Sequence, residues 1–200
     1  MAFFYLLLLF ELPFVEVQEV PVLKDRSLET EAQNEVAGRI SDKDFRYVQV
    51  DQFGKPVDDI TKTHEGSHML HASISSPGYH GLYINGFGYK VKIPKTRISD
   101  LEIPEEDRGK GYKTYVVNSQ QWWNDDVIYF ADEALAYLAG AKVRQQLGWD
   151  KRAETIAYGK EMTRYFEIAL DKITKDEPDY DTIGMRSVLE HLRDSWKDIK

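Results

Sequence analysis

His64-Glu65-Gly66-Ser67-His68 is an H-E-x-x-H run, and residues of these types at this spacing can hold and use a metal ion. If the run is helical, His64 and His68 lie one turn apart on a single face. Two imidazoles stacked in that way can share one cation. Glu65, next to the first of them, lies beside the open coordination position and can take a proton from a water there. Zinc suits such a site, because it lowers the pKa of bound water from about 15.7 to about 7 and so makes a hydroxide-like nucleophile available at neutral pH. Four of the five histidines (His64, His68, His71 and His80) fall within seventeen residues. The chain has no cysteine, so it has no rival thiolate site and no disulfide, iron–sulfur cluster or thiol nucleophile. The alternative is a solvated helix face carrying incidental histidines.

A catalytic zinc needs a third protein ligand. His71 shares the face of His64 and His68, but it lies about 10 Å from His64 along a helix, too far for all three to meet one ion. The H-E-x-x-H-x-x-G-x-x-H pattern also fails, with His71 where glycine belongs and Ile74 where histidine belongs. His71 is therefore expected behind the ligands or in the core. A better candidate is Glu133, in the apolar stretch IYFADEALAYLAGA. Adjacent carboxylates in so apolar a helix are costly to bury unpaired, and a metal would satisfy one of them. Asp132 is expected either to support the ligands or to lie on an exposed stripe. Tyr137, one turn beyond Glu133, is read as a hydrogen-bond donor to the ligand carboxylate or to an oxyanion, or else as core.

Gln121-Trp122-Trp123-Asn124-Asp125-Asp126 leads into that stretch. Asn124 or Asp125 would cap the helix, and Trp and Asn at its mouth could also touch a substrate. Gly66 costs a helix about 1 kcal/mol relative to alanine, which implies close approach by another element or by substrate. Tyr79, His80 and Tyr83 follow the Pro77-Gly78 turn. Packing is the plain role for each; one of them could reach back as a transition-state donor, and His80 could stand behind the ligands.

HEGSH followed by DEALAY resembles the gluzincin branch of the zincin metallopeptidases. The resemblance spans two helices. It implies His64 and His68 as ligands, Glu65 as general base and Glu133 as third ligand. About 64 residues lie between His68 and Glu133, more than is usual in that branch, so the intervening hairpin and loop count as an insertion. HEGSH, the YxxNG stretch and WNDxxxYxxDExxAY together are similar to a group of uncharacterised bacterial proteins with a predicted zincin site.

The elements that must position these residues follow from periodicity. Asp58 to Ile74 reads as a helix capped by Asp58 or Asp59 and stopped at Ser75-Ser76-Pro77-Gly78. Tyr79 to Ile93 reads as a hairpin around Asn85-Gly86-Phe87-Gly88 and offers an edge strand with which an extended peptide could pair. Helical patterns cover residues 126–147, 151–174 and 180–199. Residues 12–23 read as an irregular edge strand, 45–50 and 112–117 as strands, and 24–45 as a short helix with loop. The class is α+β: a small mixed or antiparallel sheet, the H-E-x-x-H helix, a second ligand-bearing helix and C-terminal helices, zincin-like if the resemblance holds.

Residues 24–200 are expected to form a single domain whose part from 151 onward is helical, preceded by a hydrophobic segment over residues 1–23. The apolar run from Ala2 to Phe10 is too short to cross a bilayer, which takes about 20 residues. It has the length of a signal-peptide core, yet no Lys or Arg precedes it, Glu11 interrupts it and no A-x-A site follows. Either it directs the chain to the periplasm or outside the cell, or it is a strand or buried helix of a cytoplasmic protein. Membrane association is expected only if residues 2–10 act as an uncleaved anchor. The net charge of −8 and the absence of a basic block argue against nucleic-acid binding.

The expected activity is zinc-dependent hydrolysis of peptide bonds in a peptide or protein substrate, with Glu65 as base. Hydrolysis of other amides or esters shares the same ligands. A non-catalytic metal-binding or structural module is the third reading, although a closed four-ligand structural site has no use for Glu65.

Overall fold

The computed structural model describes residues 15–150 and 153–200; the run at 2–10 and the first residues of the expected edge strand lie outside them. The architecture is mixed α+β, with seven α-helices and one three-stranded antiparallel sheet among the described residues.

Helix α5 (Tyr129–Gln146) forms the axis of the fold. Its Ala-rich sequence is apolar on every side, as expected of a helix surrounded by others. It packs against α3 (Asp59–Ile74) on one side and α6 (Glu154–Asp176) on another, and α1 (Glu31–Ala37) and α7 (Ile183–Asp198) complete the enclosure. The main core joins α5, α6 and α7 through Phe130, Tyr165, Phe166, Met162, Leu170, Ile173 and Leu192. The C-terminal helices thus close the core behind the helix that carries Glu133.

Helix α3 begins at Asp58, whose Oδ1 accepts a hydrogen bond from the Thr61 N–H (2.8 Å), and ends at Ser75, within the expected bounds. Val36 on α1 lies where a Cβ on Gly66 would project, 3.1 Å away. The reason for this mid-helix glycine is therefore another element, not a substrate.

Strands β1 (Val15–Glu19), β2 (Tyr79–Ile84) and β3 (Phe87–Lys92) stand in the order β1-β3-β2. The hairpin turns at Asn85 (φ 47°) and Gly86 (φ 93°), the two left-handed residues that an Asn-Gly two-residue turn supplies. Gly81 brings β2 directly against the C-terminal end of α3, where an added Cβ would lie 2.3 Å from the His71 carbonyl oxygen and 2.6 Å from the Ser75 nitrogen. The Gly81 N–H donates to Ser75 Oγ, and Tyr79 exchanges backbone hydrogen bonds with Ser76. This corrects one expectation: the Tyr79 and Gly81 N–H groups are engaged by the segment after α3 and are not free to pair with a peptide. Gly81→Ala should cost about 3 kcal/mol of stability by forcing β2 away from α3. A urea midpoint unchanged from wild type would show that the contact yields freely.

Two other expectations are corrected. Residues 45–50, read as a strand, split: 45–47 close α2 (Asp42–Tyr47), because Ser41 caps it by accepting from the Asp44 N–H and acidic residues occupy its first turn, while Val50 makes only an isolated antiparallel bridge to Pro56. Residues 112–117, also read as a strand, belong to a π-helical segment, Tyr112–Asn118. Tyr112, Tyr115 and Val116, three and four apart, turn toward the core together, and Glu161 holds the entry by accepting from the Gly111 N–H (3.0 Å). Among the described residues no helix is long and apolar enough to cross a membrane.

Candidate metal centre

Helices α3 and α5 bring the three expected ligands together. His64 Nε2 and His68 Nε2 are 3.1 Å apart, and Glu133 Oε2 lies 3.7 Å from the first and 3.8 Å from the second. A circle through these three atoms has a radius of about 2.1 Å, the length of a zinc–nitrogen bond. Among the described residues, Glu133 Oε2 is the only buried side-chain oxygen or nitrogen without a hydrogen-bond partner. An unsatisfied buried carboxylate oxygen is costly, and it faces two imidazole nitrogens. The group fits a metal ion, and the buried His, Asp and Glu side chains here can hold one.

What surrounds the triangle fixes its orientation. Asp132, also buried, gathers three imidazoles. Its Oδ1 accepts from His68 Nδ1 (2.5 Å) and His71 Nδ1 (2.8 Å), and its Oδ2 accepts from His80 Nε2 (2.8 Å). With Nδ1–H given to Asp132, His68 keeps its Nε2 lone pair for a cation, the arrangement by which a carboxylate sets a ligand's tautomer. His64 bonds the Ala136 carbonyl through its ring and packs edge-on against Tyr137, with centroids 4.5 Å apart. His80 Nδ1 donates to Asp126 Oδ2 (2.7 Å), while Asp126 Oδ1 accepts from the Ile128 N–H at the start of α5. Both His80 nitrogens are thereby occupied.

The sequence-derived candidates divide as follows. His64, His68 and Glu133 meet; His71, Asp132 and His80 form the hydrogen-bonded layer behind them. Asn124 does not join it, because its Oδ1 accepts from the Ser99 N–H (2.9 Å). Neither Asn124 nor Asp125 caps α5, whose start has no side-chain cap; Asp125 pairs with Arg97, and Asp126 accepts from the Ile128 N–H in the turn just before the helix. Tyr137 bonds the Tyr115 hydroxyl, and Tyr129 bonds the Glu133 carboxylate. Tyr115, Tyr129 and Asp126 were absent from the sequence-derived set. An aromatic residue one turn before Glu133 marks Tyr129, but nothing local marks Tyr115, which a π-helical turn places at the site; such turns recur at functional sites.

One hollow opens over the triangle and a second adjoins it at His64. The first, of about 630 Å³, is lined by His64, Glu65, His68, His80, Glu133 and several aromatic residues. The other, of about 240 Å³, continues past Tyr137 and Tyr158. His64, Glu65 and Tyr115 line both. Glu65 is solvent-exposed at this junction, while Glu133 is buried beneath it.

Protonation in the metal-free site follows from burial and neighbours. Burial, reinforced by the nearby His68, lowers the His64 pKa to about 3. Burial also opposes charge on His68, but the Asp132 carboxylate outweighs it and raises the pKa to about 9. Likewise the carboxylates of Asp126 and Asp132 carry His80 up to about 10 against burial. Burial raises Glu133 to about 7, while Asp132 is held well below its ordinary value because His71 and His68 outweigh its own burial. A cation must therefore displace one proton from His68 below pH 9 and a second from Glu133 below pH 7. Apparent metal affinity should fall about tenfold per pH unit between 9 and 7, and more steeply below 7. Competition titration against a chelating dye at pH 6, 7 and 8 measures this; a flat profile would contradict it.

Comparison with known protein families, with curated proteins and with solved structures finds no match to this chain.

Proposed function

We propose that this protein is a zinc-dependent hydrolase of peptide bonds with a zincin-like arrangement. The observation that carries the reading is the unpartnered Glu133 Oε2 facing the Nε2 atoms of His64 and His68 beneath an open cleft. The α+β organisation supports it: one helix carries HEGSH, an antiparallel hairpin packs against that helix, and a second helix delivers the glutamate.

When bound, zinc polarises a carbonyl group and acidifies a water molecule. Glu65 receives the proton of the attacking water on its carboxylate and passes it to the leaving nitrogen. Asp132 keeps the His68 ring in register. Burial, with the Glu133 carboxylate nearby, raises the pKa of Tyr115, so its hydroxyl stays protonated and can donate to the carbonyl oxygen as negative charge develops there. Tyr137, assigned this role from sequence, instead steadies Tyr115 through the bond between their hydroxyls.

Hydrolysis of other amides or esters would use the same groups. Peptides are favoured because a second hollow adjoins the first at His64, Glu65 and Tyr115, which gives room for more of a chain than the scissile bond alone. A closed structural site is disfavoured because His80, which could have served as a fourth ligand, has both nitrogens engaged by Asp126 and Asp132.

The test is zinc content and cleavage together. The wild type is expected to bind one zinc per chain and to cut a mixed peptide library in a chelator-sensitive, zinc-restored manner. Glu133→Gln should lose most of the zinc. Full zinc occupancy in that variant removes Glu133 from the ligands, and a zinc-loaded wild type that cuts esters but no peptide removes the peptidase assignment.

A further inference from the structure

Trp123 ends the short helix α4 (Gln120–Trp123) and lines the larger hollow. One face of its indole lies against Tyr129, with ring centroids 5.0 Å apart and planes 4° from parallel. The side chain is nevertheless 40% exposed. The packing thus fixes a flat ring by one face and leaves the rest of it open to the cleft. Tyr129 also hydrogen-bonds the Glu133 carboxylate, so this platform is two contacts from the candidate ligand. Met69, Ala72 and Tyr79 extend an apolar wall beside it. The charged lining is mainly acidic: Glu65, Asp126, Asp132 and Glu133 line the cleft, His80 is held between two of them, and neither Lys nor Arg is present.

We propose that this cleft selects substrates carrying a planar aromatic side chain next to the scissile bond and rejects acidic ones, with Trp123 as the stacking platform. The proposal rests on the metallohydrolase reading and adds the substrate class. A fixed, flat ring with a free face suits offset stacking, which an aliphatic side chain matches less well. With zinc bound and His80 donating from both ring nitrogens, the four carboxylates still exceed the cationic charge by about one, and that opposes entry of a further carboxylate.

The experiment measures binding, which separates it from turnover. Zinc-loaded protein, its metal content checked first, is titrated calorimetrically with three hydroxamates that share one zinc-binding head: acetohydroxamate, 3-phenylpropanohydroxamate and the monohydroxamate of succinic acid. The phenyl compound should bind about tenfold more tightly than acetohydroxamate, and the acidic compound more weakly. Trp123→Leu keeps apolar bulk but removes the flat face; it should shrink the phenyl advantage to less than about threefold and leave acetohydroxamate unchanged. Equal affinities in the wild type, an undiminished advantage in Trp123→Leu, or no hydroxamate binding to zinc-loaded protein would each overturn the proposal. If the phenyl compound is preferred but no peptide is cut, the specificity stands and the hydrolytic reading fails. If the metal analysis finds no zinc, both fall together.

Discussion

Glu65→Gln is expected to lower turnover of a cleaved peptide by about 10²–10⁴-fold while zinc binding stays at the wild-type level. Geometry separates the two properties. Glu65 is exposed at the junction of the two hollows and belongs to no ligand group, whereas the ion would be held by His64, His68 and the buried Glu133. Glutamine keeps the size and polarity of the side chain but cannot accept and return a proton near neutral pH. Loss of zinc in this variant would mean that Glu65 helps to hold the ion. Full activity with full zinc would mean that another group accepts the proton.

Asp132→Asn should produce the largest loss of stability and, with it, a loss of metal affinity. One buried carboxylate receives N–H groups from three imidazoles. An amide can accept from two of them on its oxygen, but it then turns an NH₂ group toward the His80 donor. Removing one partner of a buried charge cluster costs about 3–5 kcal/mol, and loosening a ligand's supporting carboxylate costs about 10–100-fold in metal affinity. The pH dependence of the metal-free protein has a definite sign. His68 is raised to about 9, so its pairing stabilises fully below its ordinary value near 6.5 and is lost as pH rises through 9. Asp132 is depressed, so its contribution is present above 3.8 and is lost as pH falls toward its lowered value. The cost of Asp132→Asn should therefore be greatest between about pH 4 and 6.5 and shrink above pH 9. Urea denaturation of wild type and variant at pH 5.5 and 9.5 reads this directly. An equal cost at both values would show that shape, not charge, sustains the cluster.

The ligand triangle was legible in the sequence because its parts announce themselves locally. His64 and His68 are one helical turn apart, and Glu133 sits in a stretch too apolar to bury a carboxylate without a purpose. The layer behind it was legible only in outline. Asp132 meets residues 52 to 64 positions away, and no local spacing reveals that a single carboxylate serves three rings. The hairpin could be read because Asn85-Gly86 demands its turn. The segments 45–50 and 112–117 were misread for a shared reason: their Tyr and Val residues favour strands, but the cap at Ser41 and the packing of Tyr112, Tyr115 and Val116 onto the core decided for helix. Local preference lost to capping in one case and to tertiary packing in the other.

Asp132 also bears on how the site would acquire a cation. Because this carboxylate holds His68, with His71 and His80 beside it, through hydrogen bonds alone, one of the three proposed ligands would keep its place without an ion. Small zinc domains that collapse when stripped spend much of their binding energy on building the cage. Here that hydrogen-bonded layer does not depend on an ion, so a chelator should leave the protein folded and able to take metal up again.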